Sequence, residues 1–393
     1  MRILVAPDCF AGTLTAVQAA AAIADGWRRT APQDVLDLCP LADGGPGFVD
    51  TLHAGLGGSL LSATVTSPLG ERVPAAILLV EGVSGPTAYV ESAHATGLPL
   101  VPVARRDPAV TTTYGVGELV QAALDAGARR IVVGLGGSAT NDGGAGLLAA
   151  LGAGSGDGLA AGGGRLGALA PGDLAGLAGL RDRLAGVELV AAYDVDVPLL
   201  GLHGASAGFA AQKGASAEQA QDLERALGHF AQIAVDALGA VVARPDLLAG
   251  ARPHSAASRL TSLPGAGAAG GLGFGLALLG ARLVPGSGLV ADAVGLPARL
   301  LQAELVLTGE GTFDWQSLRG KVVHAVAERA LSAAVPTVVL AGQTTVGRRE
   351  WSAAGIAGAY AVAVTDQEIE ASLADPAGTL AARAARVART WSR

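Results

Sequence analysis

A glycine-rich turn constrains this chain more than any other feature of its sequence. The apolar run from Ile131 to Leu135 predicts a buried strand, and a helix is expected from about Gly144. Glycines let a backbone approach a ligand closely, and the N–H groups at a helix start attract anions. The turn predicts either a ligand site or a tight connection with an ordinary helix cap. Its polar side chains are Ser138, Thr140, Asn141 and Asp142.

Composition excludes several classes of protein. A length of 393 residues predicts two domains, and a net charge of −7 argues against binding to nucleic acid. Glycine, proline or charge interrupts each apolar run before the roughly 18 residues that a membrane-spanning helix needs. The first residues are too few for a signal peptide, and Cys9 and Cys39 form no disulfide framework or metal motif. We therefore expect a cytoplasmic protein without a membrane segment.

Both ends of the chain have the pattern of one parallel sheet. Strands are predicted at 2–6 and 35–39, joined by a helix that opens with the capping box Thr15-x-x-Gln18. The C-terminal third predicts further strands at 305–307, 337–340 and 359–364 and helices at 322–334, near 348–355 and at 377–391. The first helix is expected to bury one stripe, made of Leu14, Val17, Ala21, Ala24 and Trp27.

The middle of the chain has a different pattern. Alternating Thr and Val between about 60 and 90 predict short, partly antiparallel strands. Strands at 131–135 and 189–192 and a helix at 216–243 follow. We therefore expect an α/β protein with a discontinuous first domain, residues 1–70 and 289–393. A second α/β domain, residues 71–288, is inserted into it.

Acidic residues follow five of the predicted strands. The carboxyl ends of parallel strands meet at one edge of a sheet, where α/β proteins bind their ligands. Carboxylates gathered there suit Mg²⁺, which takes one or two of them, and another carboxylate can act as a general base. For each acid taken singly, a helix N-cap is the plainer alternative. The acids are Asp8, Asp43, Asp142, Asp194 and, in the last case, Glu310 with Asp314.

Lysine is rare, and one glycine-rich string resembles a nucleotide motif. Of 27 basic residues only Lys213 and Lys321 are lysine, and both adjoin glycine. Lysine is a compact point charge suited to phosphate, and arginine is not equivalent to it at such a position. Gly265–Gly270 matches the dinucleotide fingerprint as a string but follows Pro264 instead of a strand. This string is the one feature that keeps a nicotinamide-dependent oxidoreductase open as an alternative function.

Seven ordered motifs resemble the glycerate kinase family of the bacterial type I class, from residue 3 nearly to residue 365. That family transfers the γ-phosphoryl group of ATP to D-glycerate, generally giving 2-phosphoglycerate, with Mg²⁺. The resemblance implies two α/β domains, one flavodoxin-like and the other inserted into it. The motifs include Ala6-Pro-Asp8, Ala42-Asp-Gly-Gly45, Thr112-Thr-Tyr-Gly-Val-Gly-Glu-Leu119, Gly134-Leu-Gly-Gly-Ser-Ala-Thr-Asn-Asp-Gly-Gly-Ala-Gly146, Gln212-Lys-Gly-Ala215, Pro264–Gly273 and Thr308-Gly-Glu-Gly311.

Motif chemistry and the resemblance together assign roles for a kinase of a small hydroxy acid. We expect Asp194 to be the base that orients the attacking hydroxyl and Lys213 to neutralise phosphate charge. Asp142 and Asp194 are expected to hold Mg²⁺. The residues expected to bind ATP are Gly136, Gly137, Ser138 and Thr140, and those expected to contact D-glycerate are Asp8, Asp43, Asn141 and Glu310. The expected partners are small molecules, and a homo-oligomer is compatible with the sequence.

Four positions depart from the family pattern. Ala11, Pro46, Val197 and Thr312 stand where the family usually has Lys, Glu, Asn and Arg. All four lie in candidate site loops, and three of the changes remove charge. A catalytically weakened or substrate-shifted member, which binds nucleotide or another small hydroxy acid, is therefore the first alternative.

Overall fold

The computed structural model describes residues 1–10, 12–154, 157–239 and 256–393, so that Ala11 and residues 240–243 lie outside the described part. The strands are β1 (Arg2–Val5), β2 (Val35–Leu38), β3 (Ser59–Thr66), β4 (Arg72–Val80), β5 (Thr87–Glu91), β6 (Arg130–Leu135), β7 (Glu188–Tyr193), β8 (Arg282–Pro285), β9 (Leu305–Phe313), β10 (Thr337–Thr344) and β11 (Ile356–Ala361). The helices are α1 (Ala16–Thr30), α2 (Phe48–Leu56), α3 (Ala93–Thr96), α4 (Tyr114–Asp125), α5 (Ala145–Ala150), α6 (Leu177–Leu184), α7 (Ala205–Phe209), α8 (Ala217–Leu238), α9 (Ala256–Thr261), α10 (Ala268–Leu278), α11 (Gly286–Ala293), α12 (Leu296–Leu300), α13 (Val322–Ser332), α14 (Arg348–Ala353), α15 (Asp366–Ala374) and α16 (Pro376–Trp391). Short 3-10 helices include Leu98–Leu100 and Ala211–Lys213.

The chain divides into two units. The first unit comprises Met1–Asp43, Asp50–Gly57 and Ser287–Arg393, and the second comprises Gly44–Val49 and Gly58–Gly286. Residues 58–70, expected with the first domain, lie in the second unit because β3 pairs with β4 along its whole length. No helix of the described residues is long and apolar enough to cross a membrane.

The first unit contains a parallel five-stranded sheet with the order β11-β10-β9-β1-β2. This is the flavodoxin-like order, in which the topological switch point lies between β1 and its neighbour β9. Apolar side chains cover both faces of the sheet: Ile3 and Val5 pack with α1 and α16, while Val339 and Ala341 pack with α13. An α/β architecture is therefore confirmed.

The first helix begins as the sequence predicts. The Thr15 hydroxyl accepts a hydrogen bond from the Gln18 backbone N–H, and the Gln18 side chain accepts one from the Thr15 N–H. The predicted stripe is wrong at Val17 and Ala21, which are exposed. The apolar face that packs in the core lies about one residue further round the helix, since it includes Ala19, Ala20, Ile23 and Trp27.

The second unit contains a mixed six-stranded sheet in the order β3-β4-β5-β6-β7-β8. Its first two pairs are antiparallel, as predicted for residues 60–90, and β5 to β8 are parallel. The predicted strand-end acids consequently belong to two sheets. Asp142 and Asp194 follow β6 and β7 of this sheet, whereas Asp8 and Asp43 follow β1 and β2 of the first unit. Glu310 lies within β9, because this strand continues beyond its predicted end at residue 307.

Candidate functional site

A cavity of about 160 Å³ lies at the carboxyl ends of β6 and β7 in the second unit. The turns after both strands, the 3-10 helix Ala211–Lys213 and the start of α10 supply most of its wall, and Leu98 and Phe209 complete it. Five residues that the sequence assigned to catalysis or phosphate binding line this cavity together. They are Gly136, Gly137, Ser138, Asp194 and Lys213.

Close backbone approach explains the glycines of this turn. A Cβ atom on Gly136 would lie 2.6 Å from the Cα of Gly45 and 2.8 Å from an oxygen of Asp194. A Cβ atom on Gly137, whose φ is 64°, would lie 2.8 Å from the Cγ of Pro46. The glycines therefore accommodate the Gly44–Val49 segment as well as leaving the turn open to a ligand.

Lys213 is buried beside this turn, with only 3% of its surface exposed. Its ammonium group donates hydrogen bonds to the Thr140 carbonyl oxygen at 2.7 Å and to the Ser138 hydroxyl at 3.2 Å. Burial lowers the pKa of Lys213 to about 8, against the opposing charges of Asp194 and Asp142. A cation fixed at this position fits the expected neutralisation of phosphate charge.

Asp194 is half-buried and follows directly after β7. Its backbone N–H donates to the Leu135 carbonyl at 3.3 Å, which fixes it next to the end of β6. Its carboxylate lies against Gly136, and its charge raises the pKa of Lys213. An acid and a cation therefore share one cavity, as the sequence predicted.

Asp142 does not line the cavity, and its surroundings do not fit the expected role as a magnesium ligand. The side chain is fully buried, and its carboxylate accepts hydrogen bonds from the Thr113 N–H and hydroxyl at 2.8 and 2.9 Å. It also accepts the N–H groups of Gly144 at 3.0 Å and Gly146 at 3.2 Å. Burial raises its pKa, and these hydrogen bonds oppose the shift. Asp142 therefore fastens the starts of α4 and α5.

Thr140 and Asn141 also lie behind the cavity wall. The Thr140 hydroxyl is 3.4 Å from the Ala269 carbonyl, and its own carbonyl holds Lys213. The Asn141 amide donates to the Ser206 hydroxyl at 3.0 Å, while its buried side-chain oxygen has no hydrogen-bond partner within the described part of the chain. Neither side chain is brought to the cavity in the way expected of a direct ligand contact.

The glycine-rich string at Gly265–Gly270 does not form a dinucleotide-binding turn. Ala269, Gly270 and Gly271 have positive φ values of 52°, 70° and 89°, which interrupt the first turn of α10. Helix α9, and not a strand, directly precedes this segment, so the context that the fingerprint requires is not met. Gly267, Ala269 and Gly270 line the same cavity as Lys213.

A second group of carboxyl side chains lies at the switch point of the first unit. Asp8 follows β1, and its N–H donates to the Gly309 carbonyl of β9 at 2.8 Å, one residue before Glu310. Burial, and then the neighbouring charge of Asp43, raise the pKa of Asp8 well above its usual range. Burial also raises the pKa of Glu310 to about 7, while Lys321 opposes both shifts. Asp8, Asp43 and Glu310 are therefore brought together, as expected for a common ligand.

Glu91, at the end of β5, is a site-supporting residue that the sequence interpretation missed. Its buried carboxylate accepts hydrogen bonds from the backbone N–H of Gly47 at 3.1 Å and of Val49 at 3.2 Å. It thereby holds the Gly44–Val49 segment, whose Pro46 packs against Gly137. The same signal, an acid at the end of a strand, was available for Glu91 in the sequence.

The departures from the family pattern have distinct surroundings. Pro46 packs on the Gly137 turn, and the Val197 carbonyl accepts the Gly267 N–H at 3.0 Å. Thr312 is exposed near the end of β9. Two of these three positions therefore touch residues that line the cavity.

The donor set is compatible with Mg²⁺ held by a single carboxylate. Within residues 1–10, 12–154, 157–239 and 256–393, no group of three or more His, Cys, Asp or Glu side chains is arranged to hold a metal ion. Mg²⁺ is commonly bound through one or two carboxylates, substrate phosphates and water. Asp194 is the carboxylate that the cavity offers.

Comparisons with known proteins match this chain to one family. The model of the glycerate kinase family matches residues 3–392. A glycerate kinase of Bacillus subtilis is 42% identical and covers 87% of this chain and 85% of its own length. A glycerate 2-kinase of Escherichia coli is 41% identical, with 88% and 86% covered. A solved structure from Salmonella typhimurium LT2 that carries the name glycerate kinase 2 has a TM-score of 0.77 at 38% identity, covering 99% of this chain and 98% of its own. This chain belongs to the glycerate kinase family.

Proposed function

We propose that this enzyme transfers the γ-phosphoryl group of ATP to a hydroxyl of D-glycerate and releases ADP and 2-phosphoglycerate. The names of its relatives support glycerate as the acceptor, and the name of the Escherichia coli relative supports the 2-position. The observation that carries the proposal is the position of the Lys213 ammonium. It is fixed beside an open glycine turn, in a cavity that Asp194 also lines.

The cavity residues divide the work of phosphoryl transfer, which depends on positioning and charge neutralisation. Backbone N–H groups of Gly136, Gly137 and Ser138 donate hydrogen bonds to phosphate oxygens, and Lys213 neutralises the charge of these oxygens. Asp194 accepts the hydroxyl proton as the new phosphorus–oxygen bond forms and the bond to ADP breaks. Thr140 acts through its carbonyl, which holds Lys213 in place.

Mg²⁺ is the expected companion of ATP, and it would neutralise charge on the phosphates. Asp194 would hold it together with phosphate oxygens and water. Asp142 has no such part in the proposal because its carboxylate already accepts four hydrogen bonds.

We assign Asp8, Asp43 and Glu310 to contacts with the small-molecule substrate, because carboxyl groups near a flavodoxin-type switch point lie where such sheets usually bind their ligands. Asn141 keeps only a supporting role through Ser206. We further propose that the two units are a flavodoxin-like domain and a domain inserted into it. A cytoplasmic location follows from the use of ATP.

The direct test is ADP release, coupled to a spectrophotometric reaction, with D-glycerate as the acceptor and Mg²⁺ present. The proposal predicts turnover that depends on D-glycerate and a product that phosphorus NMR identifies as 2-phosphoglycerate. A product phosphorylated at the 3-position would correct the regiochemistry. Absence of turnover with D-glycerate would contradict the substrate.

A substrate-shifted or weakened member is the second candidate, and the surroundings of Pro46 and Val197 support it. Both residues touch the cavity wall at positions where the family usually has a polar side chain. The same assay with a set of small hydroxy acids separates the candidates. A second acid with a kcat/KM well above that of D-glycerate would favour the shifted activity.

A further inference from the structure

The buried side chain of Glu310 has one carboxyl oxygen to which none of the described neighbouring groups donates a hydrogen bond. It is 7% exposed, and its Oε1 atom has no hydrogen-bond partner among the residues that the structure describes. The backbone aligns it with Asp8, which is also 7% exposed, through the hydrogen bond from the Asp8 N–H to Gly309. The Leu41 N–H donates to the Pro7 carbonyl at 2.9 Å, which aligns the segment that leads to Asp43. An unfilled hydrogen-bonding position therefore exists within the carboxyl cluster formed by Asp8, Asp43 and Glu310.

The groups around Glu310 favour its protonated form. On the β10 side its register partner is Ala341, which has no titratable group. Burial is the largest cause of its raised pKa of about 7, Asp314 and Asp43 act in the same direction, and the Ser317 hydroxyl and Lys321 oppose them. Asp8 and Cys9 follow the neighbouring strand β1, and on α13, which packs against β9, His324 lies three residues after Lys321.

A buried carboxyl oxygen that lacks a hydrogen bond can bind three kinds of ligand. They differ in whether protons are released or taken up on binding. A cation favours the ionised carboxylates and releases protons on binding. A neutral hydroxyl exchanges no proton. An anion favours the protonated acid, which can donate its O–H, and therefore takes up a proton. The charge of Lys321, which lowers the pKa of both Asp8 and Glu310, already places a cation beside the cluster and argues against the first case.

We propose that the carboxyl cluster binds the carboxylate of the hydroxy-acid substrate together with a proton. Glu310 donates its O–H to the substrate carboxylate, and the Lys321 ammonium supplies the positive charge. This inference rests on the proposed function, in which the acceptor carries a carboxylate. It adds that Glu310 discriminates a hydroxy acid from the corresponding neutral polyol.

Isothermal titration calorimetry with D-glycerate at about pH 8 tests the proton balance, because Glu310, with a pKa of about 7, is then mostly ionised in the free enzyme. Measurements in two buffers of different ionisation enthalpy should show uptake of close to one proton per bound glycerate. Glu310→Gln keeps an N–H donor of similar shape, so it should bind glycerate with no proton uptake. Glu304→Gln, which alters an exposed acid that accepts the Arg2 N–H just before the same strand, should behave like the wild type.

Kinetics supply the second measurement. At saturating ATP, the KM for D-glycerate should be constant below about pH 6 and rise about tenfold per pH unit above about pH 8. Glu310→Gln should flatten this profile, and glycerol should compete poorly at every pH. Turnover of D-glycerate with a flat KM profile, or binding with proton release, would overturn this inference and leave the proposed function intact. Absence of both turnover and binding would overturn both.

Discussion

The ammonium group of Lys213 donates a 2.7 Å hydrogen bond to the backbone carbonyl of Thr140. This bond ties a buried cation to the same turn whose glycines line the cavity. The charge is therefore held in position before any ligand arrives, and binding does not need to order a long side chain. Preorganised charge of this kind is what phosphoryl transfer requires.

Removal of that charge should impair catalysis without loss of the fold. We expect Lys213→Met to lower kcat/KM for ATP by about 10²–10³-fold, because one preorganised electrostatic contact is lost. The unfolding midpoint should fall modestly, since the buried Thr140 carbonyl and Ser138 hydroxyl lose their donor while the cost of burying the ammonium group disappears. Steady-state kinetics and urea unfolding check both parts. Activity close to wild type would remove Lys213 from the mechanism.

The pKa of Lys213 predicts a loss of activity on the alkaline side. Burial lowers this pKa to about 8, so the ammonium group is charged below that pH and becomes neutral above it. We therefore expect kcat/KM for ATP to fall as the pH rises through about 8. Lys213→Arg should move this fall to higher pH or abolish it, because a guanidinium group stays protonated. An unchanged alkaline limb in Lys213→Arg would contradict the assignment.

Asp142→Asn separates a structural role from a metal-binding role. The amide NH2 of asparagine would face backbone N–H donors that now meet carboxylate oxygens, so we expect a loss of about 2–3 kcal/mol in the free energy of unfolding. The folded fraction should keep a kcat and a Mg²⁺ dependence near those of the wild type. A variant of normal stability that requires far more Mg²⁺ would restore the metal role that the sequence suggested.

Gly137→Ala tests the crowding of the turn, with Gly127→Ala as its matched control. Both glycines have positive φ, 64° and 82°, but a Cβ atom meets Pro46 only at Gly137. Each substitution should cost about 1–2 kcal/mol of stability through its backbone conformation. Only Gly137→Ala should also raise the KM for ATP, by about tenfold to a hundredfold. Equal KM values in both variants would show that the turn does not contact ATP.

Local signals in the sequence predicted local structure well. The capping box at Thr15 and Gln18 forms as expected, since both partners lie within one turn of the helix. The stripe through Val17 and Ala21 was wrong because the neighbouring elements, which lie far away in sequence, decide which face is buried. In an Ala-rich helix several stripes have similar hydrophobicity, so the pattern alone cannot choose between them.

Long-range contacts explain the other differences. Asp142 stands out in the sequence because glycines surround it. Its hydrogen bonds with Thr113, however, depend on a tertiary contact with the start of α4. Similarly, the glycines of the turn after β6 allow close packing of the Gly44–Val49 segment, which lies about ninety positions earlier in the chain. Residue types and spacing indicated a ligand-binding turn, while only packing shows which polar groups are left for the ligand.

The most direct test of the account is the comparison of Asp194→Asn with Asp196→Asn, which alters an exposed acid two residues away. Turnover of ATP with D-glycerate and the affinity for ATP should be measured on both variants. We expect kcat of Asp194→Asn to fall by about 10²–10⁴-fold, as for loss of a general base, with ATP affinity largely retained, and Asp196→Asn to match the wild type. A normal kcat in Asp194→Asn would contradict the assignment of this cavity as the place of phosphoryl transfer.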